Sequence, residues 1–167
     1  MVGQLGNPRP VTPEQLPETA AGELLTLQRA AFLAEARAHH DLDLPPLLET
    51  LEQVRAVFAD PAVTVWGLRD GSRIVAAVRL RVHGDAAQIG RLAVAPDRQC
   101  EGLGTALLLA AEAAAPAAVR TFRLTTGEFS AGPLRLYARN GYRETHRTPE
   151  GVHELVHLEK VRVRARS

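Results

Sequence analysis

The most informative segment of the sequence is LAVAPDRQCEGLGTALL, which runs from Leu92 to Leu108. Its beginning is typical of a β-strand and its end of an α-helix, with a short glycine-bearing loop between them. Gly102 and Gly104 let a ligand approach the backbone closely, because neither carries a Cβ. The free N–H groups of the first helical turn favour an anion. The segment therefore predicts a phosphate or pyrophosphate site, the alternative being a plain strand–turn–helix corner.

This pattern does not match two common phosphate-binding loops. A Walker loop ends in lysine followed by serine or threonine, and the segment contains no lysine. A Rossmann loop needs a third small residue at the position of Leu107, together with alternating strands and helices. The preceding residues instead predict hairpins, with a turn at Asp70-Gly71.

Outside this segment, the hydrophobic pattern predicts a mixed α/β or α+β sheet with helices on both faces. Helices are expected at residues 17–40, 47–58, 103–115 and 133–139. Strands are expected at residues 64–68, 74–82, 87–94, 122–125, 142–148 and 153–163. Arg79 and Arg81 alternate with apolar residues, which predicts that the second of these strands has one face in water.

Composition limits the classes of protein to consider. We treat residues 1–167 as a single domain with its core at about 11–163. The net charge of +1 argues against a dedicated nucleic-acid binder, and the single cysteine excludes an intramolecular disulfide or a multi-cysteine zinc site. The sequence shows neither a signal peptide nor the ~20 apolar residues of a membrane span, so we expect a cytoplasmic protein that does not bind membranes.

Two motifs in register resemble the GNAT N-acetyltransferase superfamily. The first is Gln99-x-x-Gly102-x-Gly104, which is similar to the pyrophosphate loop of the family. The second is LYARNGY at residues 136–142, which is similar to a segment found further along the family's sequences. The resemblance extends over about residues 11–163. It implies the GNAT-like fold, a central and mostly antiparallel sheet with one splayed strand pair and helices on both faces.

The resemblance also implies an activity. An acetyl group would pass from acetyl-CoA to a primary amine of a small molecule or protein, by direct attack in a ternary complex without a metal. The pantetheine arm would enter the gap between the strand ending at Val94 and the strand near Leu124. Tyr137 would be the general acid that gives a proton to the departing CoA thiolate. The implied acetyl-CoA-binding residues are Leu92, Ala93, Val94, Gln99, Cys100, Glu101, Gly102, Leu103, Gly104, Thr105 and Ser130.

Three of these positions depart from the usual residues of the family. Glu101 stands where lysine or arginine is common, and brings a carboxylate near the expected phosphates, with Arg98 as a source of compensating charge. Cys100 stands at a common glycine position, where we expect only its backbone to matter. Ser130 stands where asparagine is frequent, and its hydroxyl retains the ability to hydrogen-bond CoA.

The motifs do not identify a general base. Family members place a glutamate at the position of Gln88 or of Thr125, and neither of these residues accepts a proton at neutral pH. A water chain or a carboxylate elsewhere would then take the proton of the amine. The carboxylates considered are Glu35, Asp41 and Glu128, each with a solvated surface position as the alternative.

Residues 153–157 spell H-E-x-x-H, the signature of zinc peptidases. That chemistry requires a helix that turns both histidines toward one metal. The alternating pattern that follows predicts a strand, so we expect no metal site. His39 and His40, adjacent on a helix, are expected to point apart as surface residues.

Two other functions stay open at this stage. A noncatalytic acyl-CoA-binding regulatory domain is favoured by the missing carboxylates at Gln88 and Thr125 and disfavoured by Tyr137. A zinc peptidase is the third alternative. The acceptor is expected to bind near residues 35–46, where acidic groups suit a cationic amine, and a homodimer is compatible with the resemblance. The polar residues of that segment are His39, His40, Asp41 and Asp43.

Overall fold

The computed structural model describes residues 11–164. The α-helices are α1 (Ala21–His39), α2 (Pro45–Leu48), α3 (Leu51–Ala59), α4 (Leu103–Ala114) and α5 (Ala131–Arg139). The strands are β1 (Glu14–Gln15), β2 (Val63–Asp70), β3 (Arg73–His83), β4 (Ala86–Val94), β5 (Thr121–Gly127), β6 (Arg143–Glu150) and β7 (His153–Val161). Within the described residues, no helix is long and apolar enough to cross a membrane.

The strands form one sheet in the order β1-β2-β3-β4-β5-β7-β6. Every neighbouring pair is antiparallel except β4 and β5, which are parallel. These two strands pair only between residues 86–88 and 121–123. Beyond Gln88 they separate, which confirms the predicted splayed pair. The facing edge of β4 therefore offers backbone N–H and C=O groups to a ligand rather than to a neighbouring strand.

A bulge in β4 lies where this separation begins. Gly90 pairs with Arg79 and Ala93 with Ala77, so two residues of β4 stand opposite one residue of β3. The first of the two, Arg91, has a φ of 52°, which is uncommon for a residue with a Cβ. A bulge turns the strand and changes the direction of its side chains, and this one re-aims Arg91 and the residues that follow it.

Helices cover both faces of the sheet, as predicted. One buried cluster joins β2–β5 and β7 to α4 and α5, and the other joins α1 and α3 to β2–β4. The prediction that β3 has one face in water is wrong for its first half, because residues 74–78 are all buried between α1 and α4. Even Arg79, expected on the wet face, keeps only 14% of its side chain exposed.

The helix predicted at residues 47–58 is two helices, because the backbone is extended at Glu49 and Thr50. Thr50 caps α3 reciprocally with Gln53 through two hydrogen bonds of 3.2 and 2.9 Å. The break leaves Glu49 facing inward, where it is only 9% exposed. The sequence predicts one continuous helix because its apolar residues keep helical spacing across Glu49 and Thr50. The break arises because the side chain of Thr50 caps a new helix at that point.

Candidate active site

Two cavities meet beside Tyr137. The larger, of about 1070 Å³, lies among α1, the end of β4, the loop before α4, and α5. The smaller, of about 410 Å³, lies among α1, α2, β3, the splayed parts of β4 and β5, and the β6–β7 turn. The residues that line both cavities are Phe32, Glu35, Leu92, Pro133 and Tyr137. Groups bound in the two cavities would therefore meet at a phenol and a carboxylate.

The loop before α4 presents unpaired backbone donors to the larger cavity. Gly102 is the N-cap of α4 with a φ of 78°, and Cys100 before it has a φ of 64°. In the described part of the chain, no group accepts a hydrogen bond from any N–H between Gln99 and Thr105. Together with the positive end of the helix dipole, these N–H groups form a site for a phosphate-type anion.

Gly104 has a separate role in packing. A Cβ at this position would lie 3.1 Å from Cδ1 of Leu136 on α5 and 3.7 Å from Cγ2 of Val94. The missing Cβ lets α5 pack tightly against the first turn of α4. The two motifs of the sequence, which are more than thirty residues apart, are thus in direct contact.

Of the acetyl-CoA-binding residues expected from the sequence, all but one line the larger cavity. The exception is Glu101, which is exposed and forms an ion pair of 2.8 Å with Arg98. Arg98 also pairs with Asp70 at 2.6 Å. The carboxylate that the sequence places near the phosphates is therefore balanced by Arg98 instead of facing the cavity.

Tyr137 is buried and its hydroxyl has no hydrogen-bond partner among residues 11–164. Its ring lies edge-on to Tyr142, with the ring centres 5.9 Å apart. Burial, and to a smaller extent the charge of Glu35, raises the pKa of Tyr137 far above that of a free phenol. The hydroxyl therefore stays protonated at neutral pH and is available to donate a proton into the site.

Glu35 is the candidate base that the structure brings beside Tyr137. One of its carboxylate oxygens accepts hydrogen bonds from Thr126 Oγ1 at 3.1 Å and from Ser130 Oγ at 2.5 Å. Ser130 thus lies on the wall of the larger cavity, as expected, but its hydroxyl is directed to Glu35. A side chain on the first helix is in this way tied to the end of β5 and to the N-cap of α5, the helix that carries Tyr137.

The other candidate carboxylates lie outside both cavities. Asp41 accepts a hydrogen bond of 2.9 Å from the N–H of Asp43, and Glu128 accepts one of the same length from the N–H of Glu154. Gln88 and Thr125 do line the smaller cavity. Glu35 is hence the only one of the three candidates in contact with the site.

The expectation that His39 is a surface residue is wrong. The ring is buried, and Nε2 accepts a hydrogen bond of 3.0 Å from the N–H of Phe129. Its proton is therefore on Nδ1, which lies 2.9 Å from the carbonyl oxygen of Glu35. His40, in contrast, is exposed and ends α1 in a left-handed conformation. The chain turns at that residue, which allows its neighbour His39 to stay in the interior.

The H-E-x-x-H segment lies on β7, as predicted, and not on a helix. Four residues of strand separate His153 from His157 by about 13 Å. His153 is buried beside His39, with ring centres 4.7 Å apart, and His157 stacks on His146 at 4.1 Å. Residues 11–164 contain no group of three or more potential ligands placed to hold a metal ion.

An ion cluster below the smaller cavity was not anticipated from the sequence. Glu49 binds Arg79 at 2.7 Å and Arg91 at 3.1 Å, and accepts a hydrogen bond from Gln28 at 3.2 Å. Burial alone would raise the pKa of Glu49, but the hydrogen bonds and charges of the two arginines outweigh it and lower the pKa. The local sign of this cluster in the sequence is Arg79, in the middle of the apolar strand β3. A single arginine there resembles the ordinary alternation of buried and exposed residues along a strand.

Comparison with known proteins supports the two-motif resemblance. A family profile described as "Acetyltransferase (GNAT) domain" matches residues 61–144. A search of curated proteins found no match. Among solved structures, the chain is similar to the PaiA N-acetyltransferase of Thermoplasma acidophilum in complex with coenzyme A. The TM-score is 0.72 at 16% identity, covering 92% of this chain and 99% of that one.

A second similar structure is the ribosomal-protein-S18-alanine N-acetyltransferase of Escherichia coli. Its TM-score is 0.74 at 20% identity, covering 93% of this chain and 96% of the other. An acetyltransferase of Thermus thermophilus gives a TM-score of 0.68 at 18% identity, covering 90% of this chain and 96% of that one. At such low identities these likenesses establish the fold.

Proposed function

Because the chain belongs to the GNAT acetyltransferase family, we propose that it transfers the acetyl group of acetyl-CoA to a primary amine by direct attack in a ternary complex. The observation that carries this proposal is the meeting of two cavities at Tyr137 and Glu35. One cavity has the unpaired N–H groups suited to a pyrophosphate, and the other has room for a small acceptor or a protein N-terminus.

Acetyl-CoA fits the larger cavity by its chemistry. The N–H groups between Gln99 and Thr105 provide donors for the pyrophosphate. The edge of β4 beyond Gln88 provides unpaired backbone groups for the pantetheine arm, which would bind as an added strand. A backbone N–H near Leu92 or Val94 would stabilise the negative charge that develops on the thioester oxygen.

In the proposed reaction, one side chain donates a proton and another accepts one. The amine nitrogen attacks the thioester carbon, so that a C–N bond forms and the carbonyl electrons move to oxygen. The intermediate collapses, the C–S bond breaks, and sulfur takes the proton of the Tyr137 hydroxyl. Glu35 takes the proton lost by the amine, and transfer through water returns it to Tyr137. The products are the N-acetyl amine and free CoA.

The first experiment is thermal unfolding with and without acetyl-CoA. Ligand at 100 times its Kd stabilises the folded state by about 2.7 kcal/mol, which raises Tm by roughly 5–10 °C for a chain of this size. S-acetylpantetheine, which lacks the pyrophosphate, is the matched control and is expected to give a smaller shift. No shift with millimolar acetyl-CoA would contradict the proposed site.

The second experiment separates the enzyme from a noncatalytic acyl-CoA-binding domain. Release of free thiol is measured with a broad panel of amines, for the natural chain and for Tyr137→Phe. Turnover that falls in the variant while acetyl-CoA binding persists supports catalysis. Binding without turnover on any amine would instead support the regulatory domain.

A further inference from the structure

Three buried polar side-chain atoms in residues 11–164 have no hydrogen-bond partner, and all three belong to residues that line the smaller cavity. They are Nε of Arg79 and both ring nitrogens of His153. The carboxylate of Glu150 lies 3.3 Å from Nε2 of His153, but without the alignment that a hydrogen bond needs. Buried polar groups are almost always paired, so three unpaired atoms behind one cavity wall mark this part of the fold as unusual.

The part of this cavity wall that β3 and β4 form carries an excess of positive charge. Arg79 and Arg91 share the single carboxylate of Glu49, which leaves one positive charge among the three groups. Arg81, also on the wall, is balanced by Asp60 at 2.7 Å. Arg79 and Arg91 line the cavity and Glu49 does not, and Arg91 is the more exposed of the two arginines, at 30% against 14% of its side chain. Guanidinium groups bind oxyanions through paired hydrogen bonds.

The negative charges of the wall lie elsewhere. Glu35 is at the junction with the larger cavity, and Glu150 is beside His153. The acidic residues that suggested a purely cationic acceptor, Asp41 and Asp43, are not part of the wall. The smaller cavity therefore has one carboxylate at its junction with the larger cavity, another beside His153, and two guanidinium groups on β3 and β4 that share one unneutralised positive charge.

Resting on the proposed acetyl transfer, we propose that the acceptor is a small amine that also carries an oxyanion, such as an aminocarboxylate or aminophosphonate. The oxyanion accepts hydrogen bonds from the guanidinium of Arg91, and the positive charge of Arg79 behind it adds to the attraction. The amine lies at Glu35 and Tyr137, beside the thioester. Arg91 directly precedes Leu92, which lines both cavities, so a compact molecule spans the two ends. A cavity of about 410 Å³ suits a ligand of that size.

The test compares amines that differ only in the oxyanion. The matched sets are L-phenylalanine with L-phenylalaninamide and 2-phenylethylamine, 4-aminobutyrate with butylamine, and β-alanine with 2-aminoethylphosphonate. Thiol release gives kcat/KM, and thermal unfolding in the presence of CoA gives binding. We expect at least one acid to exceed its neutral partners tenfold or more in kcat/KM. The last set distinguishes carboxylate from phosphonate.

Substitution of Arg91 tests the assigned contact. In Arg91→Gln, kcat/KM for the preferred acid is expected to fall 10- to 100-fold, while kcat/KM for its neutral partner changes less than threefold. Arg91→Lys keeps the charge and is expected to recover part of the loss. Arg123→Gln is the matched control, because Arg123 is an exposed arginine on β5 that pairs with Glu159 away from both cavities.

The outcomes separate this inference from the proposed function. The inference would be overturned if neutral amines were turned over as well as the acids, or if Arg91→Gln lowered kcat/KM equally for both. Either result would leave the proposed acetyl transfer intact. An acid that raises Tm in the natural chain but not in Arg91→Gln would support the inference even if no amine were acetylated. In that case the proposed acetyl transfer to these amines would be contradicted, and the inference about the oxyanion would stand. No Tm rise and no turnover with any acid would overturn the inference.

Discussion

The hydroxyl of Ser130 donates a 2.5 Å hydrogen bond to the carboxylate of Glu35, a residue 95 positions earlier in the chain. This bond joins α1 to the start of α5, the helix that carries Tyr137. It holds a carboxylate at the junction of the two cavities, where an acceptor amine would meet the thioester. The relationship gives Glu35 a fixed position that surface carboxylates lack.

We expect Glu35→Gln to lower kcat about 10²-fold or more, because a positioned base contributes on that order to proton transfer. Glutamine keeps the shape and can still accept the hydrogen bond of Ser130, so folding should be retained. The measurement is kcat by thiol release as a function of pH, and the limb that reports the base should disappear. Asp41→Asn is the control and should leave kcat unchanged, since Asp41 is outside both cavities. An unchanged kcat in Glu35→Gln would assign the base to water.

Tyr137→Phe and Tyr142→Phe should have opposite effects. The hydroxyl of Tyr137 has no partner in the described structure, so its removal should change the free energy of unfolding by less than about 1 kcal/mol while kcat falls about 10²-fold. The hydroxyl of Tyr142 donates a 3.0 Å hydrogen bond to Glu112, so its removal should cost about 1–2 kcal/mol with kcat retained. Urea unfolding and thiol release measure the two quantities. The reverse pattern would place the proton donor elsewhere.

Gly127→Ala should destabilise the protein strongly. A Cβ at Gly127 would lie 2.2 Å from Nε2 of His39, which is fixed by the N–H of Phe129 and cannot easily move. Overpacking of this kind costs about 1–3 kcal/mol or more. Gly22→Ala is the matched control, because nothing lies within 4 Å of its added Cβ and alanine favours the helix by up to about 1 kcal/mol. Equal stability of the two variants in urea would contradict the packing described for His39.

Stability should fall as pH rises above about 10, the pKa of a free tyrosine. Burial raises the pKa of Tyr137, with a smaller effect of Glu35, and burial with the charge and hydrogen bond of Glu112 raises that of Tyr142. The folded state therefore keeps two protons that the unfolded state loses. The contribution of the two tyrosines to the free energy of unfolding is constant below pH 10 and decreases above it, by at most about 1.4 kcal/mol per pH unit for each tyrosine.

Urea unfolding between pH 8 and 11 measures this dependence. Since the chain has two tyrosines, tyrosinate absorbance should appear only as the protein unfolds. The double variant Tyr137→Phe with Tyr142→Phe is the control and should lose this part of the pH dependence. Tyrosinate formed in the folded protein near pH 10 would contradict the burial of the two phenols.

The helices, the strands and the loop before α4 could be predicted from the amino-acid sequence. Backbone preferences are set over a few residues at a time, so local patterns record them. These patterns are the glycines of residues 92–108, the apolar alternation of the strands, and the proline and glycine residues that end helices and strands. For that reason the order of strands and helices and the strand character of the H-E-x-x-H segment were predictable, whereas the splayed pair was expected from the resemblance to the family. Tyr137 was identified by its motif, and the structure places it between the two cavities.

The contacts between charged side chains, in contrast, became visible only in the folded structure. Glu35 binds Ser130, Glu49 binds Arg79 and Arg91, and His39 packs on Gly127 and His153, across separations that no local pattern records. In the sequence these residues cannot be distinguished from charged residues on the surface or from the exposed residues of a strand with one face in solvent. Their burial depends on the covering of both sheet faces and on the break before α3, so the positions of Glu35 and of the arginines in the cavity wall follow from long-range packing alone.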